Sequence, residues 1–233
     1  IGGIHAHHDE SGDIHTFTVK LAEFCAQKYG VKFHYGTSVT QLKKDNQNKI
    51  AAVVTDRGEF TADAYVMSLG SYSPIYLRQV GLDIPIYPMK GYSVTFKGNE
   101  HSPKLSITDQ KAKIVYSPLG NRLRVAGTAE FAGHNSDIKR RRIRPIKKAV
   151  RRLFPKVLDD EDPVISEWAC LRPSTPDGPP IIGKTPISNL YMNTGHGTLG
   201  WTQAAGSAEI LGDIFDGKET AITLDGLKID RYL

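Results

Sequence analysis

The 233-residue chain is short of the features that would place it in a special class. Two cysteines, Cys25 and Cys170, are too few for a disulfide framework and suit a reducing compartment such as the cytoplasm. No apolar run approaches the roughly 20 residues needed to cross a bilayer, which excludes an ordinary spanning helix. The opening stretch, IGGIHAHHDESGD, has no initiator Met and lacks the charged-then-apolar order of a signal peptide, so the expectation is a chain that begins inside a longer protein. Internal repeats and low-complexity tracts are missing as well. What remains is ordinary globular material: 39% hydrophobic and 24% charged residues, enough for one large or two core-bearing domains.

Positive charge is scarce outside one place. Residues 139–152 (KRRRIRPIKKAVRR) carry nine basic and no acidic side chains, more than the whole net charge of +5, so the rest of the chain is acidic on balance. Within that segment Ile143, Ile146, Val150 and Leu153 recur at helical spacing. The pattern predicts a basic amphipathic helix with Pro145 in its first turn. A solvated helix face is the plain reading, an anionic membrane surface the sharper one and nucleic acid a third, and the lack of interleaved aromatics argues against single-stranded nucleic acid.

Residues 16–29 put Phe17, Leu21, Phe24, Cys25 and Lys28 on one side at 3.6-residue spacing, with Gly30 as a stop, which predicts a helix. Short β-branched runs follow at Val31, Val39, 51–55 and 65–69, separated by turns, and suggest a β-meander ending in a buried strand. From Ile84 to about Trp168 the texture shifts to strand-like runs divided by Gly, Pro and Asn, as in an antiparallel sheet with a helix. The α/β pattern then resumes, ending in a helix from about Thr198 to Phe215. The predicted fold is therefore mixed α/β (α+β overall), with residues 1–83 and 169–233 forming one domain and 84–168 inserted as a second.

Four short stretches carry candidate chemistry. HAHHDE, with His5, His7, His8 and Asp9, approaches a metal-hydrolase signature, but Glu10 stands where a histidine belongs; a polar strand end is favoured and no metal is expected. Gly70 ends a strand where open α/β sheets bind ligands, and a glycine there permits close backbone approach. Arg172, ahead of an extending proline in LRPSTPDGPPIIG, presents a guanidinium suited to a carboxylate. NTGHGTLGWT places Gly195, Gly197 and Gly200 at the mouth of a helix, where free N–H groups and the dipole favour an anion, a phosphate or a reduced flavin alike.

These stretches, with DESGD, ADAYVMSLGSYS and YPMKGYSVTF, closely resemble the small, FAD-bearing subunit of the bacterial D-amino acid dehydrogenase family, within the wider D-amino acid oxidase group. The resemblance runs over essentially the whole chain but over only the C-terminal part of the family's length, without its N-terminal β-α-β unit. It implies an FAD-binding domain at 1–83 and 169–233 and a substrate-binding domain at 84–168. Val39 resembles the residue whose backbone meets the adenine and Gly70 the glycine near the diphosphate; His196, Gly197, Thr198, Leu199, Gly200, Trp201 and Thr202, after Gly195, would wrap the flavin ring. Arg172 resembles the arginine that pairs with the substrate carboxylate. Tyr92 and Tyr116, with Tyr87, lie where tyrosines line the substrate pocket in this group, with sheet packing as the competing reading for each.

The implied activity is oxidative deamination of a D-amino acid such as D-alanine to a 2-oxo acid and ammonia, with electrons passed through FAD to a quinone or other respiratory acceptor. The basic segment would then sit peripherally on the inner face of the bacterial inner membrane. The segment alone is expected to bind little FAD and to be inactive. Two alternatives stand beside this reading: a glycine- or sarcosine-type amine oxidase producing hydrogen peroxide, and a non-catalytic module that binds membrane or nucleic acid.

Overall fold

A computed structural model describes residues 2–159 and 163–233. In chain order its main elements are α1 (Ile14–Tyr29), β1 (Val39–Lys44), β2 (Ile50–Thr55), β3 (Gly58–Phe60), β4 (Tyr65–Met67), α2 (Ser73–Leu77), β5 (Tyr87–Lys97), β6 (Ile107–Asp109), β7 (Ile114–Leu119), β8 (Arg122–Phe131), α3 (Arg140–Leu153), β9 (Val164–Ser174), β10 (Ile181–Lys184), β11 (Leu190–Thr194) and α4 (Gly200–Asp216). The chain divides into two compact units. The first comprises Ile1–Phe33, Lys90–Glu130 and Asn135–Cys170; the second comprises His34–Met89, Phe131–His134 and Leu171–Leu233.

In the first unit α1 begins where Asp13 accepts hydrogen bonds from the backbone N–H groups of His15 (3.0 Å) and Thr16 (3.2 Å), and it stops at Gly30, whose φ of 67° only glycine adopts without strain. Its Phe17, Leu21 and Phe24 repeat as expected, yet no residue of the helix is buried. The sheet runs β6-β7-β8-β5-β9, with β7 antiparallel to both β6 and β8. Ile143, Ile146, Ala149 and Val150 of α3 close the core over Val94, Phe96, Leu123 and Val125. Fully burying each of these side chains except Ala149 contributes about 1.5–3 kcal/mol. Pro145 corrects the expectation in a detail: it lies in the second turn, where its missing N–H removes the bond that would reach the Arg141 carbonyl.

The second unit carries two three-stranded sheets. β1-β2-β3 is an antiparallel meander, with a register shift between Val39 and Gln41. In the sheet ordered β10-β11-β4, β11 runs antiparallel to β10 and parallel to β4. Its core gathers Met67, Leu77, Ile84, Ile181, Leu190 and Met192. The buried strand expected at 65–69 is shorter, and Val66 remains 43% exposed. Two other readings need correction. The apolar run at Val31 is irregular chain leading to a turn at Tyr35 and Gly36 rather than a strand, and the leading histidines lie in an exposed loop, the His5 and His7 ring centres 4.2 Å apart, rather than at a strand end.

Candidate functional site

The parallel pairing of β4 with β11 sets the geometry. Both strands run toward the same end of the sheet, Leu190 opposite Tyr65 and Met192 opposite Met67, so the chain leaves β4 at Gly70 and β11 at Gly195 side by side. Two hydroxyls tie the exits together: Thr194 Oγ1 lies 3.1 Å from Ser73 Oγ and donates to the Gly70 carbonyl (3.3 Å). Gly70 itself has φ 55° and lies against the Pro173 ring. The end of β9 completes the corner. The Pro173 carbonyl accepts from the Gly197 N–H at 2.9 Å, and Ser174 bridges His196. Arg172, half-buried, therefore sits one residue before the Pro173 carbonyl that clamps the glycine loop.

Each loop glycine has a separate reason. A Cβ on Gly195 (φ 84°) would come within 3.0 Å of Thr175 Cγ2, and one on Gly200 within 3.3 Å of His196 Cβ. At Gly197 (φ 54°) a Cβ would meet nothing within 4 Å, so the bare backbone there borders open space. α4 starts at Gly200 with no side-chain cap and no acidic residue in its first turn, so the positive end of its dipole is not offset by its own side chains and favours an anionic group. Burial lowers the pKa of His196, whose Nε2 lies 2.9 Å from Ser207 Oγ, and so favours its neutral imidazole. A corner with bare backbone at Gly197 beside a helix N-terminus fits the electron-rich edge of a flavin ring.

The structure thus brings Gly70, Gly195, His196, Gly197, Thr198, Leu199, Gly200, Trp201 and Thr202 to one end of a single sheet, with Arg172 on the strand that clamps them. Val39 lies at the start of the meander, and its carbonyl accepts from Tyr76 Oη (2.8 Å) in α2, the helix that follows the Gly70 turn. Tyr92 and Tyr116 require correction as pocket residues. They are 1% and 0% exposed in the sheet–helix core, and a ring without accessible surface lines no open pocket.

Several contributors went unread in the sequence. Ser73, Thr194 and Ser207 are small hydroxyl residues whose roles depend on partners more than ten positions away. His134 Nε2 lies 3.0 Å from the Ser71 carbonyl, and its ring packs on Tyr72, just after Gly70. One local signal was available: residues 195–200, GHGTLG, have the G-x-G-x-x-G spacing between a strand and a helix. No strand follows α4 among the described residues to complete a β-α-β unit, so the spacing here serves a strand–loop–helix corner alone.

Comparison with known proteins agrees with this geometry. The DAO family, described as FAD dependent oxidoreductase, matches residues 1–214. D-amino acid dehydrogenase of Granulibacter bethesdensis is 45% identical over 235 residues, covering 100% of this chain and 55% of that protein. The Paramagnetospirillum magneticum protein of the same name is 47% identical over 99% of this chain and 54% of its own length. The chain therefore spans about half the length of the curated relatives it matches. Glycine oxidase from Geobacillus kaustophilus superposes with a TM-score of 0.80 at 23% identity, over 90% of this chain and 56% of that one. L-proline dehydrogenase from P. horikoshii gives 0.80 at 19% over 93% and 59%.

Proposed function

The chain belongs to the DAO family of FAD-dependent oxidoreductases, and from that premise we propose that it forms the flavin-ring cradle and substrate-anchoring part of a D-amino acid dehydrogenase. The overall reaction converts a D-amino acid such as D-alanine, with water, into a 2-oxo acid and ammonia, its two electrons going on to a respiratory quinone at an anionic membrane surface. The observation that carries the reading is the convergence of Gly70, the Pro173 carbonyl and the Gly195 to Gly200 loop at the open mouth of α4.

When bound, FAD supplies the two-electron acceptor for the substrate Cα–H. The chain's residues do the positioning. The α4 N-terminal donors stabilise negative charge at the ring edge, and Gly197 admits the ring close to the backbone. The Gly70 turn and Val39 hold the diphosphate and adenine ends. Arg172 pairs with the substrate carboxylate and so fixes the direction of the Cα–H; the amine reacts in its neutral form and no side chain acts as a strong base. In this reading 1–83 and 169–233 serve the cofactor, Arg172 excepted, and 84–168 the substrate, although Ile1–Phe33 packs in the same compact unit as Lys90–Glu130; the 233-residue segment by itself holds little FAD and is inactive.

The test is a fusion of this chain to the portion of the Paramagnetospirillum magneticum relative that it does not match. The fusion should carry flavin and reduce an artificial dye with D-alanine, without producing hydrogen peroxide. Arg172→Met should lower kcat/KM roughly 10- to 100-fold, the scale of a lost charge-assisted hydrogen bond, mainly through KM. Equal activity on L-alanine, stoichiometric peroxide, or an unaffected Arg172→Met variant would each sink the proposal.

A further inference from the structure

Nine cations crowd residues 139–152, but they are not equivalent. Five are drawn to carboxylates of their own unit. Lys139 and Arg141 bind Glu130 at 2.9 and 3.1 Å, with Arg142 at 3.9 Å; Lys147 binds Glu167 at 2.6 Å and Arg152 binds Asp109 at 2.6 Å. The other four, Arg140, Arg144, Lys148 and Arg151, are exposed, and among the described residues none has an acidic partner at ion-pair distance.

Their spacing of four, four and three residues confines them to about 80° of the α3 circumference, roughly opposite the arc of Ile143, Ile146, Ala149 and Val150. The row runs about 16 Å along the helix at 1.5 Å per residue. Because the apolar face is committed to the core, this helix cannot enter a bilayer as a free amphipathic helix does.

From this division we propose that Arg140, Arg144, Lys148 and Arg151 form a docking row for the headgroups of an anionic lipid bilayer, held by charge alone and without insertion. The choice of a bilayer over another polyanion rests on the respiratory-acceptor reading above, since electrons bound for a quinone must be delivered at a membrane. A linear row with no aromatic interleaved suits a smeared negative surface rather than stacked bases.

The measurement is co-sedimentation of the 233-residue chain with vesicles of equal parts phosphatidylcholine and phosphatidylglycerol. The wild-type chain should bind at about 0.1 M salt and dissociate near 1 M, where the screening length falls from about 10 to about 3 Å. Arg140→Gln, Arg144→Gln, Lys148→Gln and Arg151→Gln together should weaken binding by roughly 10²-fold or more, given the contribution of each cation near such a surface. A control with the same charge change, Lys49→Gln, Lys104→Gln, Lys111→Gln and Lys184→Gln, should bind like the wild type, and circular dichroism of both variants should match it. Three results would overturn the proposal: undiminished binding of the row variant, equal binding to pure phosphatidylcholine, or wild-type binding to duplex DNA in place of the vesicles. None of these depends on flavin, so loss of D-alanine oxidation in the fusion protein would break the catalytic reading while leaving the docking result to be judged separately.

Discussion

Helices α1 and α3 belong to the same compact unit and both read as amphipathic, yet they contribute in opposite ways. α1 has the better local chemistry, with an aspartate cap at one end and a left-handed glycine at the other, and it buries nothing. α3 has no side-chain cap and a proline in its second turn, and it buries four apolar residues. Caps and periodicity govern whether a helix forms; the energy it returns to the fold depends on what covers its stripe. The direct way to break this comparison is to truncate one apolar side chain in each. Ile146→Ala, at a fully buried site, should cost about 2–5 kcal/mol in urea unfolding. Leu21→Ala, at a site 45% exposed, should stay within about 0.5 kcal/mol. Similar losses for the two would mean that burial does not separate these helices.

The same distinction explains what could be read from the sequence. The spacing predicts α1 at 16–29 and α3 at 139–152, and both appear within two residues, because their periodicity and, for α1, the glycine stop are local signals. The bare loop at the mouth of α4 was equally visible, since GHGTLG is contiguous. The sequence alone could not reveal that Thr194 meets Gly70 across more than a hundred residues, because only the parallel pairing of β11 with β4 creates that corner. Residue type also misled for Tyr92 and Tyr116. In GYSVTF, Tyr92 shares a two-residue period with Val94 and Phe96, and that alternation already pointed to the core. The position of Pro145 was missed for a different reason: core packing over the β-sheet offsets a helix defect that local rules would have moved to the first turn.

Electrostatics sharpens the contrast, because α3 is pinned at its start by Glu130. The hydrogen bond from Tyr92 Oη (2.6 Å), then that from Lys139, hold this carboxyl down at about 2, against an ordinary value of 4.5. Burial first, and Glu130 second, push the Tyr92 phenol up to about 12. Glu130 also lies 3.7 Å from Lys90 Nζ, which is wholly buried and donates to Asn135 Oδ1 (2.7 Å) and the Asp137 carbonyl (2.9 Å). A carboxyl depressed in the folded state contributes stability that is complete above its unfolded value and is lost as pH falls toward the folded one. The urea midpoint should therefore drop between pH 4.5 and about 2. Glu130→Gln should flatten that window while lowering stability at neutral pH by leaving Lys90 without its counter-charge. An acid limb unchanged in the Gln variant would assign the loss to other carboxyls.

The smallest effect belongs to α1, and it separates two roles of one side chain. Asp13 caps the helix and also pairs with Arg122 at 2.5 Å. Its carboxyl is held below the usual value of 3.8, first by the Thr16 N–H and then by Arg122. Asp13→Ala removes both and should cost about 0.5–2 kcal/mol of helix stability, while Asp13→Asn keeps the cap acceptor and loses only the charge. Because α1 buries nothing, the loss should appear as faster hydrogen exchange in its own amides, with the global unfolding midpoint barely moved. If Asn behaves like Ala, the ion pair to Arg122 rather than the cap is what holds the start of α1. A falling global midpoint in either variant would instead mean that this exposed helix supports the core as α3 does.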